Sequence, residues 1–218
     1  MDVKCDFLYN KQNLSVSEIR TENYLRLDDV EYFVSYLSSD YKSNKGGNSF
    51  VYALYEAQTY DEDAIPAKVI KISKFHESYK NGKIRTKDKN KRFRQEVAAL
   101  YDCKRKHVGN VIDIESDGNL ICCTRKDGDY EVSFPFYVME YAEFDLKGFL
   151  EEENEAYDEA SRVELCLQIA QGIKELNDLG YYHRDIKPDN IFMINGTWKV
   201  GDLGLCLLYT SPSPRDRG

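Results

Sequence analysis

An α+β chain in two lobes is the fold class that this sequence predicts, and three observations carry it. The first half, from Tyr32 to Met139, is built of aromatic and β-branched segments with one stretch of helix composition among them. The second half holds one long amphipathic pattern, in which Val163, Cys166, Ala170, Ile173 and Leu176 recur at three- and four-residue steps. The composition, 42 % hydrophobic and 31 % charged over 218 residues, is that of a chain with a packed core. Thirty Lys and Arg against thirty-eight Asp and Glu leave a net charge of -8, which argues against a domain whose main task is coating nucleic acid. No run approaches the ~18 apolar residues of a membrane helix, so no membrane segment is expected.

The elements are justified in chain order. Residues 1–31 are mixed and polar, with weak helical periodicity around Val16–Tyr24, and are read as an N-terminal extension. Met1-Asp2-Val3-Lys4-Cys5-Asp6 has neither a basic cap nor an apolar region, unlike a signal peptide. Strands are expected at Tyr32–Leu37, Phe50–Tyr55 and Ile65–Ile72, with a small-residue turn at Ser43–Ser49 and an acidic loop at Asp61–Asp63. Residues 71–94 carry a dense run of Lys and Arg, read as a solvated loop and helix start, and Arg92–Leu100 has good helix composition. Strands return at Val111–Glu115, Leu120–Cys123 and Phe134–Met139. The acidic stretch Glu151–Glu155 reads as solvated surface, and the long helix Ala160–Leu179 is closed by Gly180. Six cysteines without a C-x-x-C pair, and three histidines without zinc spacing, fit a reduced cytoplasmic protein with no structural metal.

The chemistry concentrates directly after that helix. Tyr182-His183-Arg184-Asp185-Ile186-Lys187-Pro188-Asp189-Asn190 is followed, twelve residues beyond Asn190, by Asp202-Leu203-Gly204, with two short apolar stretches between. In these residues the sequence resembles the eukaryotic-like (Hanks-type) Ser/Thr protein kinases, whose catalytic loop reads H-R-D-x-K-P-x-N and whose metal-binding turn reads D-F-G. The resemblance implies a two-lobed fold: an N-lobe of antiparallel sheet plus one helix, and a C-lobe that is helical and here incomplete. It implies ATP and Mg²⁺, and transfer of the γ-phosphoryl to a Ser or Thr hydroxyl of a protein substrate. On that pattern Asp185 accepts the hydroxyl proton, Lys187 neutralises the γ-phosphate, and Asn190 and Asp202 hold magnesium. A lysine at 187 is the Ser/Thr form of the motif. His183 is expected to buttress the loop without acid–base work.

The first half offers the resemblance's other parts more faintly. In Asn44-Lys45-Gly46-Gly47-Asn48-Ser49-Phe50-Val51 the family's G-x-G-x-x-G-x-V keeps only its middle glycine. Gly46 and Gly47 still permit close backbone approach to phosphates, and Val51 is expected over adenine. Two lysines compete for the phosphate-binding position of V-A-I-K. Lys68, preceded by Ile65-Pro66-Ala67, is preferred because Ile65, Ala67 and Val69 alternate as a buried strand should; Lys71 stays open. Glu96 resembles the helix glutamate that pairs with this lysine. Phe136–Ala142 resembles the hinge, with Met139 as gatekeeper and the Glu140 carbonyl and Ala142 N–H on adenine. Asp145 either reaches the ribose or caps the next helix.

Two departures stand out. Leu203 replaces the Phe of D-F-G and keeps an apolar side chain there. After Leu205 the chain runs on as Cys206-Leu207-Leu208-Tyr209-Thr210-Ser211-Pro212-Ser213-Pro214-Arg215-Asp216-Arg217-Gly218, which resembles a translated sequencing-library adapter. The expected organisation is therefore an extension over 1–31 and a partial kinase domain over 32–205. Within it the N-lobe covers about 32–138, the hinge 139–145 and the partial C-lobe 146–205; an artefactual tail covers 206–218. Two rivals are weighed. A non-catalytic ATP-binding scaffold is opposed by the intact Asp185, Asn190 and Asp202, and an aminoglycoside-type small-molecule kinase, usually H-G-D at the loop, by Arg184 and Lys187.

Overall fold

The computed structural model describes residues 2–4, 9–10, 15–16, 23–37, 48–61, 63–75, 77–80, 83–84, 89–123, 131–152 and 157–208. The chain divides into two compact units, Met1–Phe93 with Glu115–Tyr141, and Arg94–Ile114 with Ala142–Gly218.

The first unit is a nine-stranded sheet. Its strands are β1 (Asp2–Lys4), β4 (Asn23–Leu27), β5 (Val30–Tyr36), β6 (Ser49–Glu56), β7 (Lys68–Ser73), β8 (Glu77–Lys80), β9 (Lys83–Ile84), β10 (Ile114–Cys123) and β11 (Glu131–Glu140); β2 (Tyr9–Asn10) and β3 (Ser15–Val16) pair only with each other. The strand order is β1-β10-β11-β7-β6-β5-β4, antiparallel from β11 to β4, with β1 parallel to β10 at the far edge. Alternation sorts the side chains onto two faces. Tyr32, Val34, Tyr52, Leu54, Ile70, Ile72, Phe136 and Val138 share one face and join Leu25, Leu27, Leu120 and Phe134 in a buried cluster. Phe33, Val51, Ala53, Val69, Lys71, Tyr137 and Met139 share the other, by the register of β5, β6, β7 and β11.

Three expectations change in this unit. The stretch expected to be weakly helical around Val16–Tyr24 contributes strand at both ends, and Asn23–Leu27 forms a hairpin with β5. Tyr24, Leu25, Arg26 and Leu27 have period two, exposed and buried in turn, and Asp28 and Asp29 at φ 45° and 68° make the mirror-image turn that hairpins prefer. The third strand begins at Lys68 and not at Ile65. Pro66 has no N–H to give a ladder, and Ile65, expected to be buried, is 79 % exposed. Part of the basic run, expected to be loop, folds as the β8–β9 hairpin on β11. Buried Asn90 ties the ends of this insertion, accepting from Ser73 Oγ at 2.6 Å and donating to the Phe75 carbonyl and Glu77 Oε1 at 3.0 Å each.

The second unit holds most of α1 (Lys91–Arg105), with β12 (Phe144–Asp145), α2 (Leu146–Glu152), α3 (Glu159–Asp178), β13 (Tyr181–Tyr182), β14 (Ile191–Ile194), β15 (Thr197–Val200) and β16 (Leu207–Leu208). The Asp158 carboxylate caps α3 by accepting from Ser161 N at 2.8 Å, and Gly180, at φ 83°, ends it in the left-handed turn that favours glycine. Leu165, Gly172 and Leu176 are buried, and Gln168 accepts from the Trp198 N–H at 2.7 Å, so this face of α3 lies on β15. That face is offset from the expected stripe: Leu176 is buried and Ile173 half-buried, but Val163, Cys166 and Ala170 are exposed. β14 and β15 form a tight hairpin through Asn195 and Gly196, at φ 49° and 75°. Trp198 is buried at its centre, ringed by Phe144 and Phe149 and donating from Nε1 to the Tyr157 hydroxyl.

Candidate active site

The segment 183–190 links β13 to β14 and is pinned at several points within the second unit. His183 is buried, its Nε2 lies 2.8 Å from the Gly201 carbonyl, and its Nδ1 accepts from the Asp185 N–H at 3.3 Å. That pair of partners puts the ring proton on Nε2, the nitrogen that meets the carbonyl. Arg184 takes a left-handed φ of 63°, unusual for a side chain of its size, and its Nε donates to the Leu205 carbonyl at 2.9 Å. Pro188–Asn190 forms one 3₁₀ turn, closed by Asn190 N–H on the Lys187 carbonyl at 3.0 Å.

This turn brings three of the expected residues together. Lys187 Nζ donates to Asp185 Oδ2 at 2.9 Å, and Asn190 Nδ2 donates to the same oxygen at 3.1 Å and to the Asp185 carbonyl at 2.8 Å. The Lys187 hydrogen bond holds the Asp185 carboxyl below the usual carboxylate range, with Asn190 adding to it and nearby Asp202 opposing it. Reciprocally, Asp185 raises the Lys187 ammonium. Asp185 is thus an ionised carboxylate at neutral pH, fixed by an amide and a cation.

Asp202 sits at φ 56°, the start of a 3₁₀ turn over Leu203–Leu205, and is exposed. Leu203, which replaces an aromatic ring, is buried at 1 % exposure, so it anchors the turn as an apolar residue should. Gly201 before it admits no side chain: a Cβ would come within 2.4 Å of Ile112 Cδ1 and 2.8 Å of the Phe192 ring. The buried carboxylate of Glu96 on α1 lies beside Gly204, 3.5 Å from where a Cβ would stand. Both Asn190 Nδ2 bonds go to Asp185, and the Asn190 amide oxygen and the Asp202 carboxylate are hard-oxygen donors. Magnesium takes one or two such protein ligands and completes its shell with water and phosphate, so the donor set fits.

In the first unit the register separates the two lysines. Lys71 stands opposite Val51 on one side and Tyr137 on the other, on the face of Val69 and Met139. Its Nζ lies 5.8 Å from the Tyr137 ring centroid, and Phe93, at the start of α1, stacks on that ring at 5.4 Å. Lys68 is on the opposite face, with the buried core cluster, where it pairs with Glu115 and lies 5.8 Å over the Tyr32 ring. Burial works against its charge, but the hydrogen bond and charge of Glu115 outweigh it and raise its pKa. The preference for Lys68 rested on a buried Ile65–Ala67–Val69 alternation, and both Ile65 and Ala67 are exposed. Val51, Met139, Glu140 and Ala142 are all half-buried. Asp145 is a helix cap, accepting from Gly148 N–H at 2.8 Å. Gly46 and Gly47 lie outside the described residues. Sequence reasoning missed Gly201, for which one sequence holds no signal, since a close approach of Ile112 and Phe192 is visible only in space.

Comparison with known proteins agrees with this geometry. The family model described as "Protein kinase domain" matches residues 44–217. Cyclin-dependent kinase G1 of Arabidopsis thaliana is 28 % identical over 172 residues, which is 78 % of this chain and 25 % of the relative. Cyclin-dependent kinase G-1 of Oryza sativa subsp. indica is 42 % identical over 78 residues, 35 % of this chain and 11 % of that protein. Probable cyclin-dependent kinase 8 of Dictyostelium discoideum is 29 % identical over 126 residues, 54 % of this chain and 30 % of the relative. The matches thus span less than a third of the length of each of these relatives. With the family match running through both units and over the 183–204 segment, the chain belongs to the protein kinase domain family, in its eukaryotic-like (Hanks-type) form.

Proposed function

We propose that the protein carrying this domain is a Ser/Thr protein kinase that transfers the γ-phosphoryl group of Mg·ATP to a serine or threonine hydroxyl of a protein substrate. The observation that carries this reading is the Lys187–Asp185–Asn190 cluster, in which one carboxylate is held ionised and oriented by two neighbours. Asp185 takes the proton of the attacking hydroxyl, and Lys187 beside it faces the negative charge of the transferring group. Asn190 and Asp202 would hold magnesium, which neutralises phosphate charge when bound. Ser/Thr specificity is supported by Lys187 and by the cyclin-dependent kinase names of the relatives. Of the two lysines, Lys71 is the better candidate for the nucleotide phosphates. It shares a face with Val51 and Met139, while Lys68 is engaged by Glu115 on the other. The resemblance assigns Val51, Met139 and the backbone of Glu140 and Ala142 to adenine.

The test is Asp185→Asn in the whole protein that carries this domain, with turnover on Ser- and Thr-containing peptides and Mg·ATP affinity measured side by side. Turnover should fall by ~10²-fold or more while nucleotide affinity stays within a few-fold, because the carboxylate acts on the acceptor hydroxyl. Turnover close to that of the unsubstituted protein would overturn the assignment.

A further inference from the structure

Two acidic residues of helix α1 point to different places in the second unit, and one of them, Asp102, is hydrogen-bonded there. Glu96 is buried beside Gly204 of the Asp202–Gly204 turn. Asp102 accepts a hydrogen bond from the Tyr181 hydroxyl at 2.6 Å, across 79 positions of sequence. Tyr181 is 5 % exposed and lies in β13, which runs directly into His183-Arg184-Asp185. Its hydroxyl is therefore a polar group in a packed site, where an unpaired hydroxyl is costly and a phenylalanine ring would fill the same space. The pair is further tied down by Arg105, which bonds the other oxygen of Asp102.

The geometry of a helix gives this contact a consequence. At about 100° per residue, Glu96 and Asp102 stand about 120° apart around α1 and about 9 Å apart along it. A rotation of α1 about its axis carries Glu96 away from Gly204 and Asp102 away from Tyr181 together, so the Tyr181–Asp102 bond restrains the azimuth that keeps Glu96 in place. From this we infer that Tyr181 is a positioning residue: its hydroxyl, through Asp102, sets α1 in register with the segment that carries Asp185. The inference rests on the proposed kinase reading for its functional consequence and on the Tyr181–Asp102 contact for its structural one.

Tyr181→Phe removes only the donor, whereas Asp102→Ala removes the acceptor together with its ion pair to Arg105; both singles and the double variant would be compared. In the 218-residue chain, amide hydrogen exchange should quicken about tenfold in both α1 and residues 183–185, the scale of a lost hydrogen bond to a charged group. The double variant should be no worse than Asp102→Ala alone, since the Tyr181–Asp102 bond is already lost in it. Asp102→Asn, which keeps an acceptor, should restore most of the protection. In the whole protein that carries this domain the same substitutions should lower kcat about tenfold and leave the KM for Mg·ATP unchanged. Exchange that quickens in α1 alone, additive singles, or equal changes in kcat and KM would overturn the inference. If the unsubstituted protein transfers no phosphate, the kinase reading fails while the exchange experiment still decides the positioning role.

Discussion

Lys68 and Lys71 differ by three positions, an odd number, so a strand must send them to opposite faces. Which face matters is decided by neighbours that no local pattern reveals: Val51, Tyr137 and Met139 gather around Lys71, and Glu115 claims Lys68. On the proposed reading, Lys71→Met in the whole protein that carries this domain should cost about 10²-fold or more in turnover, because it removes a fixed positive charge from the reacting nucleotide. Lys68→Met should leave turnover within a few-fold and change stability by no more than ~1 kcal/mol, the scale of a partly exposed ion pair. Steady-state kinetics and urea unfolding of the two variants separate the roles, and a dead Lys68→Met with an active Lys71→Met would reverse them. The contrast with Asp185, Lys187 and Asn190 shows what a sequence makes legible. Those three lie within one short turn, so spacing alone determines that they meet. The lysine's partners lie on other strands, and they become neighbours only through register.

At the scale of elements the same division holds for α3. Its length and its Gly180 stop were readable because each is a local backbone requirement, but the side it buries was displaced. The stripe Val163, Cys166, Ala170 has the right period and is exposed, whereas Leu165, Gln168, Gly172 and Leu176 face β15. Glycine was the missed signal: a Cβ on Gly172 would come within 2.4 Å of the Asn110 carbonyl and 3.1 Å of Val200 Cγ2. In an exposed helix Gly→Ala stabilises by up to ~1 kcal/mol. Here Gly172→Ala should instead destabilise by about 1–3 kcal/mol, because the neighbour it meets is backbone and the helix must back away. Leu167→Lys, on the exposed side at 59 % exposure, should leave the midpoint unchanged and improve solubility. Urea unfolding followed by Trp198 fluorescence checks both; a stabilised Gly172→Ala would show that α3 does not pack on β15 through this face. The β8–β9 hairpin failed to show in the sequence for a related reason. Its strands are short, with one lysine in each, and it is closed by the Ser73–Asn90–Glu77 contacts between residues remote from one another in the chain.

For the whole molecule, the two-lobed order of strands then helices was visible because hydrophobic period changes from two to about 3.6 partway along the chain. Two units with separate cores need not unfold together, and the difference between their cores decides which yields first. The first buries Tyr52, Leu54, Ile70, Phe134 and Phe136 almost completely within one sheet cluster. The second buries Trp198, Leu176, Ile191 and Val200 but, among the described residues, leaves seven large apolar side chains exposed, Leu150, Val163, Leu167 and Ile186 at 40–59 % among them, against five in the first, where Ile65 reaches 79 %. Each large apolar side chain left in water forgoes about 1.5–3 kcal/mol of burial, which is a sizeable share of a typical domain stability of about 5–15 kcal/mol. The second unit should therefore melt first. The chain offers its own reporter, since its one tryptophan lies in the second unit while the fully buried Tyr52 and Tyr137 lie in the first. Thermal unfolding followed by Trp198 fluorescence should have a lower midpoint than unfolding followed by far-ultraviolet circular dichroism at a sheet-dominated wavelength, and the curves should not superimpose. Two-state unfolding requires that different probes coincide. Superimposable transitions would mean that the two units unfold as one, and that the exposed side chains of α3 do not set the weaker limit.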